Sequence, residues 1–123
     1  MKIRISDDSI RLRLDRSEVA QIEAGSAVEC VTHFSAGNQF RYCLNVAAAG
    51  EVSAEFIEGC ITVTLPAEVA SRWAGTESEV SIRAQQALPA GDLHLLIEKD
   101  FECLDPREGE DQSNRFRNPK ALA

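Results

Sequence analysis

The chain has 123 residues, enough for one domain with a modest core, and 44% hydrophobic content, which excludes a chain disordered throughout. Its formal charge of −7 is unevenly spread: residues 1–50 carry six basic and six acidic side chains, residues 51–102 three and ten, and residues 103–123 four of each. An acidic second half repels phosphate backbones and anionic membranes, and no apolar run approaches the roughly 18 residues of a membrane span.

Lys2 to Ile5 alternate basic and apolar residues and predict a half-buried strand. Asp7-Asp8 predicts a turn, and Ile10, Leu12 and Leu14 alternate with Arg11 and Arg13 as the return strand of a hairpin. One face of that hairpin is apolar, with Ile3, Ile5, Ile10, Leu12 and Leu14 expected to be buried. The other is basic, with Lys2, Arg4, Arg11 and Arg13 expected to face solvent. Asp15 with Glu18 reads as a capping box opening a short helix, Val19 and Ile22 supply its apolar stripe, and Gly25 closes it. Val28, Cys30, Thr32 and Phe34 alternate as a third strand. After a turn at 35–38, Phe40, Tyr42, Leu44 and Val46 form a fourth.

The cycle then restarts. Val52, Ala54 and Phe56 predict a strand, Glu58-Gly59 a turn, and Ile61, Val63 and Leu65 the return strand. Pro66 is expected at the first helical position, Val69 and Trp73 on the buried stripe, and Gly75 as the helix stop. Val80, Ile82 and Ala84, then Leu93, Leu95 and Ile97, complete the unit. IRLRLDRSEVAQIEAG (10–25) and ITVTLPAEVASRWAG (61–75) thus repeat with a period of about 50 residues. Neither unit can bury both its helix and its sheet alone. The expected fold is mainly β: duplicated ββαββ units, 2–47 and 52–101, interleaved into one pseudo-twofold eight-stranded barrel spanning residues 1–102, with two short helices and a polar tail over 103–123.

The run IRLRL–DRSEVAQIEAG–SAVECV, and more closely ITVTLPAEVASRW with its Leu65-Pro66 step, resembles the swapped-hairpin fold of AbrB- and MazE-type regulators and antitoxins. That resemblance implies two interleaved halves, here within one chain, and DNA contact from the region of the first hairpin. The opening MKIRISDDSIRLRL, with EKDFECLDPREGED and FRNP near the end, is also similar to a small family of uncharacterised bacterial proteins, which implies no activity.

The strongest candidate site is the basic face of Lys2, Arg4, Arg11 and Arg13, with Arg16 just beyond, a cluster able to contact an anion or nucleic acid. The corresponding second-half positions are Ser53, Glu55, Thr62 and Thr64. A reader of palindromic DNA needs both halves, so DNA is disfavoured against a solvated face with cross-strand ion pairs. His33 and His94 are expected on polar strand faces. Cys30, Cys43 and Cys60 fall within strands, and Cys103 has acidic neighbours that oppose a reactive thiolate. No metal-ligand spacing, glycine-rich phosphate loop or nucleophile–base pair is visible, so no metal and no cofactor are expected. In the tail, Arg115, Phe116 and Arg117 could anchor a partner. The expectation is a cytoplasmic, non-catalytic binding protein with a protein or small-molecule partner, the alternative being an AbrB/MazE-like regulator or antitoxin.

Overall fold

The computed structural model describes residues 1–100. The tail 103–123, including Cys103, Arg115, Phe116 and Arg117, lies outside the described residues. The order is β1 (Lys2–Ser6), β2 (Ser9–Leu14), α1 (Arg16–Glu23), β3 (Val28–His33), a 3-10 turn (Ser35–Gly37), β4 (Gln39–Ala47), β5 (Ser53–Ile57), β6 (Cys60–Pro66), α2 (Ala67–Gly75), β7 (Ser81–Leu88) and β8 (Gly91–Lys99).

The eight strands form two four-stranded sheets, β1-β2-β8-β7 and β3-β4-β6-β5. Each sheet takes one antiparallel pair from each half of the chain and joins the pairs through a central parallel contact, β2 with β8 and β4 with β6. The registers correspond: Leu12 lies opposite Ile97 in the first sheet, and Val63 opposite Leu44 in the second. Ile82 then faces Ile97 as Val28 faces Leu44.

The expected closed barrel is not what forms. Each sheet keeps two edges, β1 and β7 in one, β3 and β5 in the other. Where edges meet, side chains bridge to backbone instead of extending a ladder. Between the edges β5 and β7 the Ala54 N–H donates to Gln86 Oε1 at 2.8 Å, and just ahead of β1 the Met1 carbonyl accepts from the Tyr42 hydroxyl of the central strand β4 at 2.8 Å. Such contacts satisfy single polar groups, while closure needs a continuous run of backbone pairs.

The inward faces share one core. Ile10, Leu12 and Leu14 are buried from β2, Ile61, Val63 and Leu65 from β6, and Leu44, Leu95 and Ile97 from β4 and β8. Alternation therefore assigns β2 and β6 correctly. It misassigns Ile5, which is 54% exposed, and Ile3 is only half-buried. Both lie on the edge strand β1, whereas Ile10, the cross-strand partner of Ile5, is buried on the central strand β2.

The helices leave the sheets at the Leu14 and Leu65 ends, pack on one another and add Ile22, Ala70 and Trp73 to the core. The Trp73 indole N–H donates to the Val80 carbonyl at 3.0 Å, and the Lys99 ammonium lies 5.6 Å from the ring centroid. α1 opens as expected: the Glu18 N–H donates to Asp15 Oδ1 and the Asp15 N–H to Glu18 Oε1, both at 2.9 Å. The amide bond holds the Asp15 carboxyl below its ordinary value. The second oxygen of Glu18 accepts from the Met1 α-amine. Burial alone would lower that amine's pKa, but the hydrogen bond and charge of Glu18, aided by Cys30, leave it raised. Gly25, at φ +87°, closes α1 with Gly25 N–H to Ile22 O and Ser26 N–H to Gln21 O, a Schellman arrangement.

α2 departs from expectation at both ends. Pro66 is the N-cap, its extended ψ of 146° keeping it in β6, and Gly75 stays helical with Thr76 as C-cap. Neither the N–H that Pro66 lacks nor a left-handed glycine is used there. Gly59 is the second glycine with a steric role: its φ is +77°, and a Cβ would meet the Gln39 carbonyl oxygen at 3.2 Å.

Candidate functional site

Because side chains alternate across a strand, the first sheet presents an ordered lattice on its outer face. Reading across β1, β2, β8 and β7, three rows follow from the register: Lys2–Arg13–Glu98–Ser81, Arg4–Arg11–Leu96–Arg83 and Ser6–Ser9–His94–Gln85. The pairing of β2 with β8 thus brings cations of the first hairpin beside residues some 80 positions away in the chain.

The top row is closed by ion pairs. Glu98 takes Arg11 at 3.1 Å and Arg13 at 3.5 Å, and Asp100 takes Lys2 at 3.0 Å and Arg13 at 3.4 Å. These contacts press the long side chains onto the sheet, leaving Arg11 35% and Arg13 39% exposed. The two arginines are therefore half-buried on the outer face, where full solvent exposure is expected from alternation alone. The Nε atoms of both are shielded and without a hydrogen-bond partner among the described residues.

The middle and lower rows line a hollow of about 660 Å³ whose polar wall includes Arg4, Arg11, Arg83, Ser9, Gln85 and His94. Arg4 and Arg83 are exposed and have no ion-pair partner among the described residues. Gln85 is steadied by donating to Asp92 Oδ2 at 2.7 Å. The chemistry available is anion capture: guanidinium forks with neutral donors beside them.

Of the residues singled out by sequence, the fold gathers Lys2, Arg4, Arg11 and Arg13 on this face. Arg16 opens α1, beyond the end of the sheet, and does not line the hollow. Arg83 and His94 belong to the hollow and were not part of the expected cluster. The only sequence signal for Arg83 is its place between Ile82 and Ala84, which marks it as outward-facing without saying beside what. His33 ends β3 on the other sheet.

The second sheet offers a different outer face. Across β5, β6, β4 and β3 the equivalent rows are Glu55–Thr62–Cys43–Glu29 and Ile57–Cys60–Arg41–Val31. Cys43 and Cys60 each approach the Thr62 hydroxyl at 3.7 Å, and burial pushes the Cys43 thiol up, away from the reactive thiolate. At the turn end, between the sheets, a second hollow of about 500 Å³ is lined by apolar side chains including Ile5, Phe40, Phe56, Leu88 and Leu93. Among the described residues no group of three or more His, Cys, Asp and Glu is placed to hold a metal ion, and no helix is long and apolar enough to cross a membrane.

Fold and face together define a mainly β, two-sheet protein with helical connections that presents one basic sheet surface. The chain belongs to DUF7009, a family of unknown function whose model matches residues 1–120. No curated protein and no solved structure matches it.

Proposed function

We propose that the chain is a non-catalytic binding protein that holds a small anionic ligand on the outer face of its first sheet. One observation carries this reading: Arg4, Arg11 and Arg83 line a single hollow, and two of the three lack a carboxylate partner among the described residues. Arg4 stands directly opposite Arg11 on the neighbouring strand with one carboxylate, Glu98, engaging only Arg11, and Arg83 faces them across Leu96, so a bound anion relieves like-charge repulsion on this face. The proposal treats residues 1–102 as one domain built from two duplicated, swapped-hairpin-like units related by a pseudo-twofold axis, with 103–123 as an appended tail. The corresponding registers of the two sheets support the duplication. The three cysteines among the described residues, Cys30, Cys43 and Cys60, are unpaired, which suits the reducing cytoplasm in which the proposal places the protein.

Thermal unfolding in the presence of inorganic phosphate, sulfate, citrate and small carboxylates tests the reading. A ligand bound at 100 times its Kd stabilises by about 2.7 kcal/mol, and the upshift is expected to vanish in the Arg4→Gln, Arg83→Gln double variant. Equal upshifts in wild type and variant would place anion binding elsewhere.

The second reading is an AbrB/MazE-like DNA binder, favoured by the way β1-β2 interleaves with β7-β8. The second sheet argues against it, since Glu55 and Glu29 stand where Arg4 and Arg83 stand in the first. With one face engaged, about 3–4 phosphates are neutralised, giving a log–log salt slope of about −3 to −4. Sequence-selective duplex binding that survives physiological salt and is lost in Arg11→Ala and Arg13→Ala would favour DNA.

A further inference from the structure

Leu96 is the one apolar side chain among the twelve outer-face positions of the three rows, and it sits in the middle of the arginine row. On one side stand Arg11 and Arg4, on the other Arg83. Strands in a sheet lie about 4.8 Å apart, so the backbones of Arg11 and Arg83 are separated by about 10 Å with Leu96 midway. The face therefore has two cationic poles with an apolar floor between them.

A compact anion fits this arrangement poorly. Placed at one pole, it leaves the other arginine and Leu96 uncovered. Placed over Leu96, it gives up hydration against a side chain that offers no hydrogen bond. The charge at each pole is also limited. Glu98 already engages Arg11, so the first pole has one unpaired guanidinium, Arg4, and the second has one, Arg83, among the described residues. One guanidinium matches one carboxylate, in a bidentate fork, better than it matches the roughly −1.5 to −2 charge of a phosphate monoester. The neighbouring row of Ser6, Ser9, His94 and Gln85 adds neutral hydrogen-bonding groups along one side of the hollow.

Resting on the anion-site reading, we infer that the ligand is a short aliphatic dicarboxylate. One carboxylate lies on Arg4 and Arg11, the other on Arg83, and the hydrocarbon chain covers Leu96. Affinity then depends on chain length, because only one span sets both carboxylates on their poles while the methylenes stay on the leucine.

The experiment is calorimetric titration of the full chain at low ionic strength with succinate, glutarate, adipate, hexanoate and inorganic phosphate. One dicarboxylate is expected to bind about tenfold or more tighter than both hexanoate and phosphate. Arg83→Gln should remove the dicarboxylate's advantage over hexanoate measured on the same variant, and Leu96→Asn should weaken the dicarboxylates as well. Arg83→Lys, which keeps the charge and loses the fork, should fall between. The emission of buried Trp73 reports that each variant is folded. Phosphate binding as tightly as every dicarboxylate, with no dependence on Arg83, would overturn the dicarboxylate assignment and leave an anion site at Arg4 and Arg11. No binding of any of the five anions would remove the anion-site reading itself.

Discussion

The two sheets have the same strand pattern and corresponding registers, yet they resemble each other closely on their inner faces and differ on their outer ones. Inside, equivalent positions hold equivalent chemistry: Ile10 and Ile61, Leu12 and Val63, Leu14 and Leu65, Ile97 and Leu44 are all buried aliphatic residues. Outside, Arg4 corresponds to Glu55, Arg11 to Thr62, Leu96 to Cys43 and Arg83 to Glu29. The shared core restricts what its inward side chains can be, since packing punishes any change of volume or polarity. A solvated face is under no such restriction. The difference between the faces is therefore where a specific property of this protein can reside, and the similarity of the interiors is what the fold itself demands.

The largest effect should come from the interior, and should be equal in the two sheets. Leu14→Ala and Leu65→Ala each remove a fully buried side chain at equivalent positions, and each is expected to cost about 2–5 kcal/mol. Denaturant unfolding of both variants measures this; a large loss in one and tolerance in the other would break the equivalence of the interiors. Next is an exchange of faces. Arg83→Glu installs the charge that the second sheet carries at Glu29. It should weaken anion binding about tenfold or more, about 1.4 kcal/mol, while stability stays within about 0.5 kcal/mol of wild type. An intact affinity would show that the difference between the sheets at this position is not functional.

The smallest effect concerns the helices. α1 has a side-chain cap tied to the Met1 amine, whereas α2 begins at Pro66 with no side-chain cap. Asp15 has a lowered pKa in the folded chain, so its contribution is present above the ordinary value of 3.8 and is lost as pH falls through the depressed one. The Met1 amine has a raised pKa, so its pairing with Glu18 contributes fully below the ordinary value of 8.0 and is lost as pH rises through the raised one. Melting curves against pH should show Asp15→Ala converging with wild type in acid and Glu18→Gln converging with it in alkali. Pro66→Ala should show neither trend.

Much of this fold is legible in period-2 alternation, because β2 and β6 are central strands with one face on the core. The same alternation fails at Ile5 and Phe56, which obey it and are nevertheless 54% and 66% exposed. Their cross-strand partners Ile10 and Ile61 are buried, so alternation tells which side of a sheet a residue faces and carries no information on whether its strand is central or at an edge of the sheet. The helix starts and stops were legible where side chains act locally, at Asp15, Glu18 and Gly25. They were misjudged at Pro66 and Gly75, where residue type alone suggested a role that the backbone does not adopt. The candidate site was half legible. The cations of β1 and β2 are neighbours in sequence, so the hairpin reveals them. Arg83 and Leu96 join them only through the parallel pairing of β2 with β8, a long-range contact that no local pattern encodes. The excess acid of residues 51–102 further disguised Arg83, since the acidic residues that neutralise this half on paper are spread over several surfaces.

The way the sheets divide the chain also sets an order in time. The second sheet uses one continuous stretch, residues 28–66, whereas the first joins residues 2–14 to residues 81–99. During synthesis every strand of the second sheet is available before β7 has been made, while the β1-β2 hairpin waits, its inner edge unpaired, for nearly the whole chain. Pairing across so long an interval carries a larger loop-closure cost and is slow. The row from Arg4 to Arg83 thus comes into being only once β8 has joined β2 to β7, so that the proposed anion site is absent from the nascent chain until residue 99 has been made.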